Sequence, residues 1–345
     1  MRMDKLTEAL GYSPKKIAVF RAIKLGDLLC AIPAFRALRQ AFPNAHIALI
    51  SLPWAEEFVR CYPHYFDEFI SFPGWPGLPE QPLKPDRTVT FLQQMQSRQW
   101  DVVLQLQGDG TLVNAMCSLF NARIIAGYYP PEQRSERWVA NTGLCQPYPI
   151  DTHEVFRHVR LMAFLGIAPQ GYGLDFSLTN ADRQEARTLL HRVGAEPNHF
   201  ICLHAGGISG RRWPEQQFAA VADRLAEQGY TVVLTGTAGE QPIVEAVQSA
   251  MTYPSVSIAG KTSLRQLAAV LVETSLLISN DTGVAHLAVA CETPSVVVFT
   301  SADPAEWGPL NRSRHRIVLE HASDCYQQVV AEATDLLVPK LANMT

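Results

Sequence analysis

No apolar run in this 345-residue chain reaches the roughly 18 residues that a membrane span needs. Nor does it open with a basic-then-apolar stretch leading to a small-residue cleavage site, the pattern of a secretory signal. None of its seven cysteines (Cys30, Cys61, Cys117, Cys145, Cys202, Cys291 and Cys325) stands at C-x-x-C spacing, which removes the usual zinc and dithiol-redox patterns. Several lie inside apolar runs, as buried thiols in a reducing compartment do. A basic excess is missing too: the formal net charge is -4, which argues against a general nucleic-acid binder. The turn after the first strand holds only Gly26, so the G-x-G-x-x-G of a dinucleotide-binding dehydrogenase is not there. The expectation from these absences is a cytoplasmic protein without a structural metal.

What is present is ordinary globular composition, 47% apolar and 18% charged, in a chain longer than one hydrophobic core usually serves. Short β-branched runs alternate with helical patterns throughout. Lys16–Arg21, His46–Ser51, Asp67–Phe72, Trp100–Leu106 and Arg123–Tyr128 read as strands, with helices at Leu28–Phe42, Arg87–Gln99, Thr111–Phe120 and His153–Leu165. After a Pro- and Gly-bearing linker at Gly166–Thr179, a second series follows. Its strands are Phe200–Ala205, Thr231–Gly236, Val256–Ala259, Leu276–Asn280 and Ser295–Thr300, and its helices Pro214–Gln228, Glu240–Met251, Ser263–Val272 and Thr282–Cys291. Strands alternating with crossover helices imply parallel sheets covered on both faces. The expectation is an α/β protein of two doubly wound domains, 1–170 and 171–323, facing a central cleft, with a terminal helix within 324–345 packing back on the first domain. Ligands of this architecture bind outside the carboxyl ends of the strands.

Four strand-to-helix turns carry the candidate chemistry. In the first, Arg21-Ala22-Ile23-Lys24-Leu25-Gly26-Asp27, Gly26 permits a tight turn and Asp27 stands at a helix start, as a helix cap or as an acid–base group held ionised by Lys24 and Arg21. The second, His204-Ala205-Gly206-Gly207-Ile208-Ser209-Gly210-Arg211-Arg212-Trp213-Pro214, lets backbone N–H groups approach an anion, with Arg211 and Arg212 adding charge; a flexible surface turn is the alternative. In the third, Asp281 reads as a cap and the helix begins at Thr282. The N–H groups of Thr282, Gly283 and Val284 then suit a pyrophosphate, and His286 lies one turn further in, as a ligand group or a structural histidine. Glu240, after Leu234-Thr235-Gly236-Thr237-Ala238-Gly239, accepts from ribose hydroxyls or simply favours the helix dipole. Pro73–Pro85 and Tyr128-Tyr129-Pro130-Pro131 are candidate acceptor contacts or plain surface. The first 40 residues hold eight basic residues against three acidic ones, either a solvated face or a surface for an anionic acceptor or membrane.

Taken together, L-G-D-x5-P, R-x-W-P, G-x3-E, N-D-T-G-x2-H-L-A, P-S-V-V-V-F-T and Trp307-Gly308-Pro309, in that order over roughly residues 16–325, make the chain resemble glycosyltransferase family 9, the bacterial heptosyltransferases of lipopolysaccharide core synthesis. The resemblance implies GT-B architecture with an N-terminal acceptor domain and a C-terminal donor domain, and an ADP-sugar, most of all ADP-heptose, as co-substrate without a cofactor or an essential metal. It puts the catalytic base on Asp27 and donor contacts on Arg211, Glu240, Asp281, Thr282, Gly283 and His286, and the Gly-rich turn itself adds Ser209 and Arg212 to the expected donor contacts. Arg211 stands where the family has a lysine, so the charge is kept and the fork geometry is not. Acceptor contacts are expected at Arg21, Lys24 and Gly26, with a saccharide or lipid-linked saccharide as partner at the inner face of the cytoplasmic membrane and no nucleic acid. Asp109, alone between Gly108 and Gly110, makes no D-x-D metal motif. Two other readings stay open: a non-catalytic sugar-nucleotide-binding protein, and a nucleotide-sugar epimerase of the same architecture.

Overall fold

The computed structural model describes residues 3–132 and 144–341. The chain divides into two compact units, Met1–Gly173 and Leu174–Thr345, so the expected boundary at residue 170 moves by three residues. The shift has a local cause: Arg36 of the first unit donates to Gln170 O (3.1 Å) and Gly173 O (2.7 Å) and holds the start of the linker.

The first unit contains six strands: β1 (Lys16–Phe20), β2 (His46–Ser51), β3 (Glu68–Ser71), β4 (Val102–Gln105), β5 (Ile124–Tyr129) and β6 (Cys145–Pro147). They pair in parallel in the order β3-β2-β1-β4-β5-β6. The central strands are apolar on both faces because helices cover both: four of the five residues of β1 are buried. The second unit repeats the plan with β7 (Phe200–His204), β8 (Thr231–Leu234), β9 (Ser255–Ser257), β10 (Leu276–Asn280), β11 (Ser295–Phe299) and β12 (His315–Leu319). Its order, β12-β11-β10-β7-β8-β9, is the same winding with β7 in the place of β1 and β10 in the place of β4. In each unit the order reverses next to the first strand, which opens a crevice at the carboxyl ends of β1 and β4 and another at those of β7 and β10.

Several elements depart from the sequence reading. The helix expected over Leu28–Phe42 forms as two, Leu25–Cys30 and Ile32–Ala41, because Pro33 lacks the N–H that a continuous helix would use. Two edge strands were not anticipated. β6 contains Pro147, which only an edge position tolerates, and β12 is charged and partly exposed. The terminal helix Cys325–Leu341 buries Val329, Ala333 and Leu337 in the core of the second unit, not in the first domain as expected. Its apolar stripe therefore already has a partner. Residues 342–345 of the expected terminal segment lie outside the described residues. All seven thiols are free, and five are buried.

Candidate functional site

At the first crevice, Asp27 sits in the third position of the helix Leu25–Cys30, whose cap residue is Lys24, so Asp27 is not the helix cap it was read as. Its side chain is 17% exposed, while Gly26 beside it is buried and Lys24 exposed. Burial pushes the Asp27 carboxyl above its ordinary value. Arg21, the Asp27 amide and Lys24 pull it back, and the Glu80 carboxylate pushes it up further. A carboxylate held short of full stabilisation is a stronger base. Glu80 comes from the irregular segment before Pro85, where the sequence suggested an acceptor loop, and its Oε2 is buried without a hydrogen-bond partner among the described residues. The same segment borders a cavity of about 330 Å³ that Ser71, Phe72, Gln81, Lys84 and Arg87 also line.

Arg21 is only 1% exposed. Its Nε donates to Asp27 O (2.9 Å), its Nη1 to Leu106 O, and its Nη2 to Glu154 Oε1 (2.8 Å), with Asp27 Oδ1 at 3.8 Å. The acceptor contact expected of Arg21 is thus replaced by a positioning role, since no surface is left for a saccharide. The Tyr128 ring is likewise core, its hydroxyl donating to Arg157 O. The basic excess at the N-terminus does not form one open patch. Arg39 binds Asp67 (2.5 Å) and the Tyr65 carbonyl (3.0 Å), and Lys5 lies 3.7 Å from the centroid of the Phe164 ring.

At the second crevice the loop after β7 is clamped from two sides. Glu240 Oε1 accepts from the Gly207 amide (2.8 Å), and Oε2 accepts from the Thr237 amide (2.8 Å) and hydroxyl (2.9 Å). Burial alone would raise the Glu240 carboxyl; the Thr237 and Gly207 donors and the field of His204 outweigh it and hold the carboxyl below its ordinary value. Asn280, at the end of β10, accepts from the Trp213 amide (2.8 Å) and donates to Ala205 O and Gly206 O (3.0 Å each). Trp213 itself is buried against Phe218, 5.1 Å between centroids. The two glycines are required by close approach: a Cβ on Gly206 would strike the Glu240 carboxylate, and one on Gly207 would stand 2.8 Å from Thr282 Cγ2. The helix of the third turn begins at Gly283, with Thr282 rather than Asp281 at its cap position. Its first N–H groups have no acceptor within the helix.

Glu240, Gly206, Gly207, Arg212 and Thr282 therefore meet at one place. Thr282 Oγ1 and Arg212 Nε are buried there with no hydrogen-bond partner among the described residues. Both residues approach Gly207, so this crevice holds two buried polar atoms to which a ligand or water could bond. Ser209 and Arg211 stand exposed at the loop tip. His286 is buried one turn into the helix, 6.4 Å from Trp307 between ring centroids. Among the described residues no three His, Cys, Asp or Glu side chains gather as a metal site would need. Sequence reasoning missed Asn280 and the buried set Glu154, Arg157 and His158; only the run His153-Glu154-Val155-Phe156-Arg157-His158 at a helix start could have signalled the latter.

Residues 88–335 match the model of glycosyltransferase family 9 (heptosyltransferase). The chain is 23% identical over 296 residues to lipopolysaccharide heptosyltransferase 3 of Escherichia coli, covering 82% of this chain and 83% of that one. In fold it is similar to the family 9 glycosyltransferase of Veillonella parvula, with a TM-score of 0.78, 20% identity, and 94% and 97% of the two chains covered. It is also similar to the E. coli ADP-heptose lipopolysaccharide heptosyltransferase II, with a TM-score of 0.76, 18% identity, and 94% and 99% covered.

Proposed function

The chain belongs to glycosyltransferase family 9, the heptosyltransferases, and we propose that it moves heptose or a related sugar from an ADP-sugar to a hydroxyl of a lipopolysaccharide-core-type saccharide. The proposed reaction is one inverting displacement. The acceptor O–H gives its proton to the Asp27 carboxylate while its oxygen bonds to the anomeric carbon. The bond from that carbon to the diphosphate oxygen breaks, and its electron pair leaves on ADP. The observation that carries this reading is Asp27 itself, a partly exposed carboxylate at the strand-order reversal of the first sheet, made more basic by burial.

The leaving diphosphate is assigned to the second unit. Arg211, Arg212, Ser209 and the Gly283 and Val284 amides supply fixed donors toward it, and Thr282 Oγ1 a further one. Asp281 and His286 are assigned to the donor sugar and its phosphates, and Glu240 holds the loop while offering its edge to the ribose. With that donor set the reaction is proposed to need no resident metal and no cofactor. Lys24 and the chain at Gly26 are assigned to the acceptor. The reading puts the enzyme at the inner face of the cytoplasmic membrane through a lipid-linked acceptor rather than through a span. No described helix is long and apolar enough to cross a membrane.

A thermal-shift series with ADP, UDP and NAD tests the donor assignment, because a ligand that binds only the native state raises the melting midpoint. ADP is expected to raise it. A shift with UDP or NAD and none with ADP would remove the ADP-sugar reading.

A further inference from the structure

Behind Asp27 lies a buried ionic group that the reaction as described does not use. Glu154 is 4% exposed, Arg157 3% and His158 2%, all on the first turns of the helix Glu154–Phe164. The Glu154 carboxylate receives Arg21 Nη2 (2.8 Å) and His158 Nε2 (2.9 Å) on Oε1, and Arg157 Nη1 on Oε2. Arg157 is held in turn by Thr152 O (2.9 Å) and by the Tyr148 ring, 4.6 Å to its centroid. His158 is neutral, because burial and then the fields of Arg21 and Arg157 pull its pKa well below the ordinary value. Its Nε2–H therefore donates to Glu154, and its Nδ1 is left buried with no hydrogen-bond partner among the described residues.

Counting charges, two guanidiniums (Arg21 and Arg157) face two carboxylates (Asp27 and Glu154), and the group closes at zero only when Asp27 is ionised. Arg21 is the shared member, at 2.8 Å from Glu154 and 3.8 Å from Asp27. We propose that Glu154, fixed by Arg157 and His158, is a positioning residue that sets how much of the Arg21 charge reaches Asp27. Glu154 takes the near face of the guanidinium, so Asp27 receives enough attraction to be ionised and too little to be quenched as a base. The other groups facing this pair are Lys24 and Glu80 at Asp27, and Cys30 and Tyr148 at Arg21. None of them bridges the two carboxylates as Arg21 does. The inference rests on Asp27 being the base.

The test is the acid limb of kcat/KM against pH, with the melting temperature of each variant measured in parallel. Glu154→Gln removes the competitor for Arg21 and should move the limb to lower pH, and Arg157→Gln should move it to higher pH, each by roughly 0.5–1 unit. Arg157→Lys, which keeps the charge, should leave the limb near its parent position. Loss of packing alone would not move two limbs in opposite directions. Folded variants whose limbs stay together, or move the same way, overturn the inference. Should Glu154→Gln not fold, the Arg157 pair decides alone. Asp27→Asn separates this failure from that of the base assignment. If the residual activity of Asp27→Asn keeps the parent limb, the base reading itself is wrong. If that limb vanishes while the Glu154 and Arg157 variants stay put, only the network inference falls.

Discussion

The two units wind their strands in one order, yet their crevices are furnished in opposite ways. Beside β1 stands the partly exposed Asp27 carboxylate, raised above its ordinary pKa by burial, with an ionic group behind it. Beside β7 and β10 stand glycines, the exposed Arg211 and half-buried Arg212, helix amides and two polar atoms with no hydrogen-bond partner among the described residues, with a carboxylate held below its ordinary value as a brace. On the proposed reading the repeated fold carries two tasks, and the difference lies in what each turn does with a carboxylate. At Asp27 burial outweighs Arg21, the Asp27 amide and Lys24, and the carboxyl is raised. At Glu240 they supply three donors and make a strut.

The difference can be broken most forcefully at Asp27. Asp27→Asn should lower kcat by about 10²–10⁴-fold, the usual contribution of a general base. The melting temperature near neutral pH should not fall. A carboxyl whose folded pKa lies above its unfolded value contributes fully below the unfolded value and costs stability as pH rises from there through the folded value, and the amide removes that cost. Calorimetry of the two proteins at pH 7 checks the sign.

Glu240 should behave the other way round. Its depressed carboxyl contributes stability above the ordinary carboxylate value, and that contribution is lost as pH falls through the folded value. Glu240→Ala leaves the Gly207 and Thr237 amides without their acceptor. It should cost roughly 1–3 kcal/mol in denaturant unfolding and weaken ADP binding with it. A stable variant with parent ADP affinity would reduce Glu240 to a surface residue. Arg211→Ala is smaller still, because the side chain is exposed at the loop tip. ADP affinity should drop about tenfold, equivalent to roughly 1.4 kcal/mol, in a titration at fixed salt, with unchanged stability. The smallest effect is that of EDTA. Turnover should be within about twofold of the untreated enzyme if fixed donors alone meet the diphosphate charge, and a complete, Mg²⁺-reversible loss in the same assay would show a metal in that role.

Much of this is legible in the sequence alone. Hydrophobic runs of the central strands show the doubly wound pattern because those strands are buried on both faces, and glycines mark all four strand-to-helix turns. Edge strands β6 and β12 escaped because one carries Pro147 and the other Arg316, and an edge tolerates both. The helix starts differ from the sequence reading by three residues at Asp27 and by one at Asp281. An acidic residue there reads as a cap from sequence, whereas caps are decided by which backbone groups are already satisfied. Arg21 read as a surface cation because nothing local shows that Glu154, 133 residues away, neutralises it inside the fold. Asn280 read as one letter of a motif, and only the geometry reveals that its amide ties β10 to the loop after β7.

The division of tasks is tested most directly by one quantity, the ADP dissociation constant of Asp27→Asn measured on the same folded preparation that has lost transfer. The account predicts parent affinity, since every donor group named above lies in the second unit and none depends on the Asp27 charge. Affinity lost in proportion to rate would contradict it, and would make Asp27 part of the nucleotide site instead of the base.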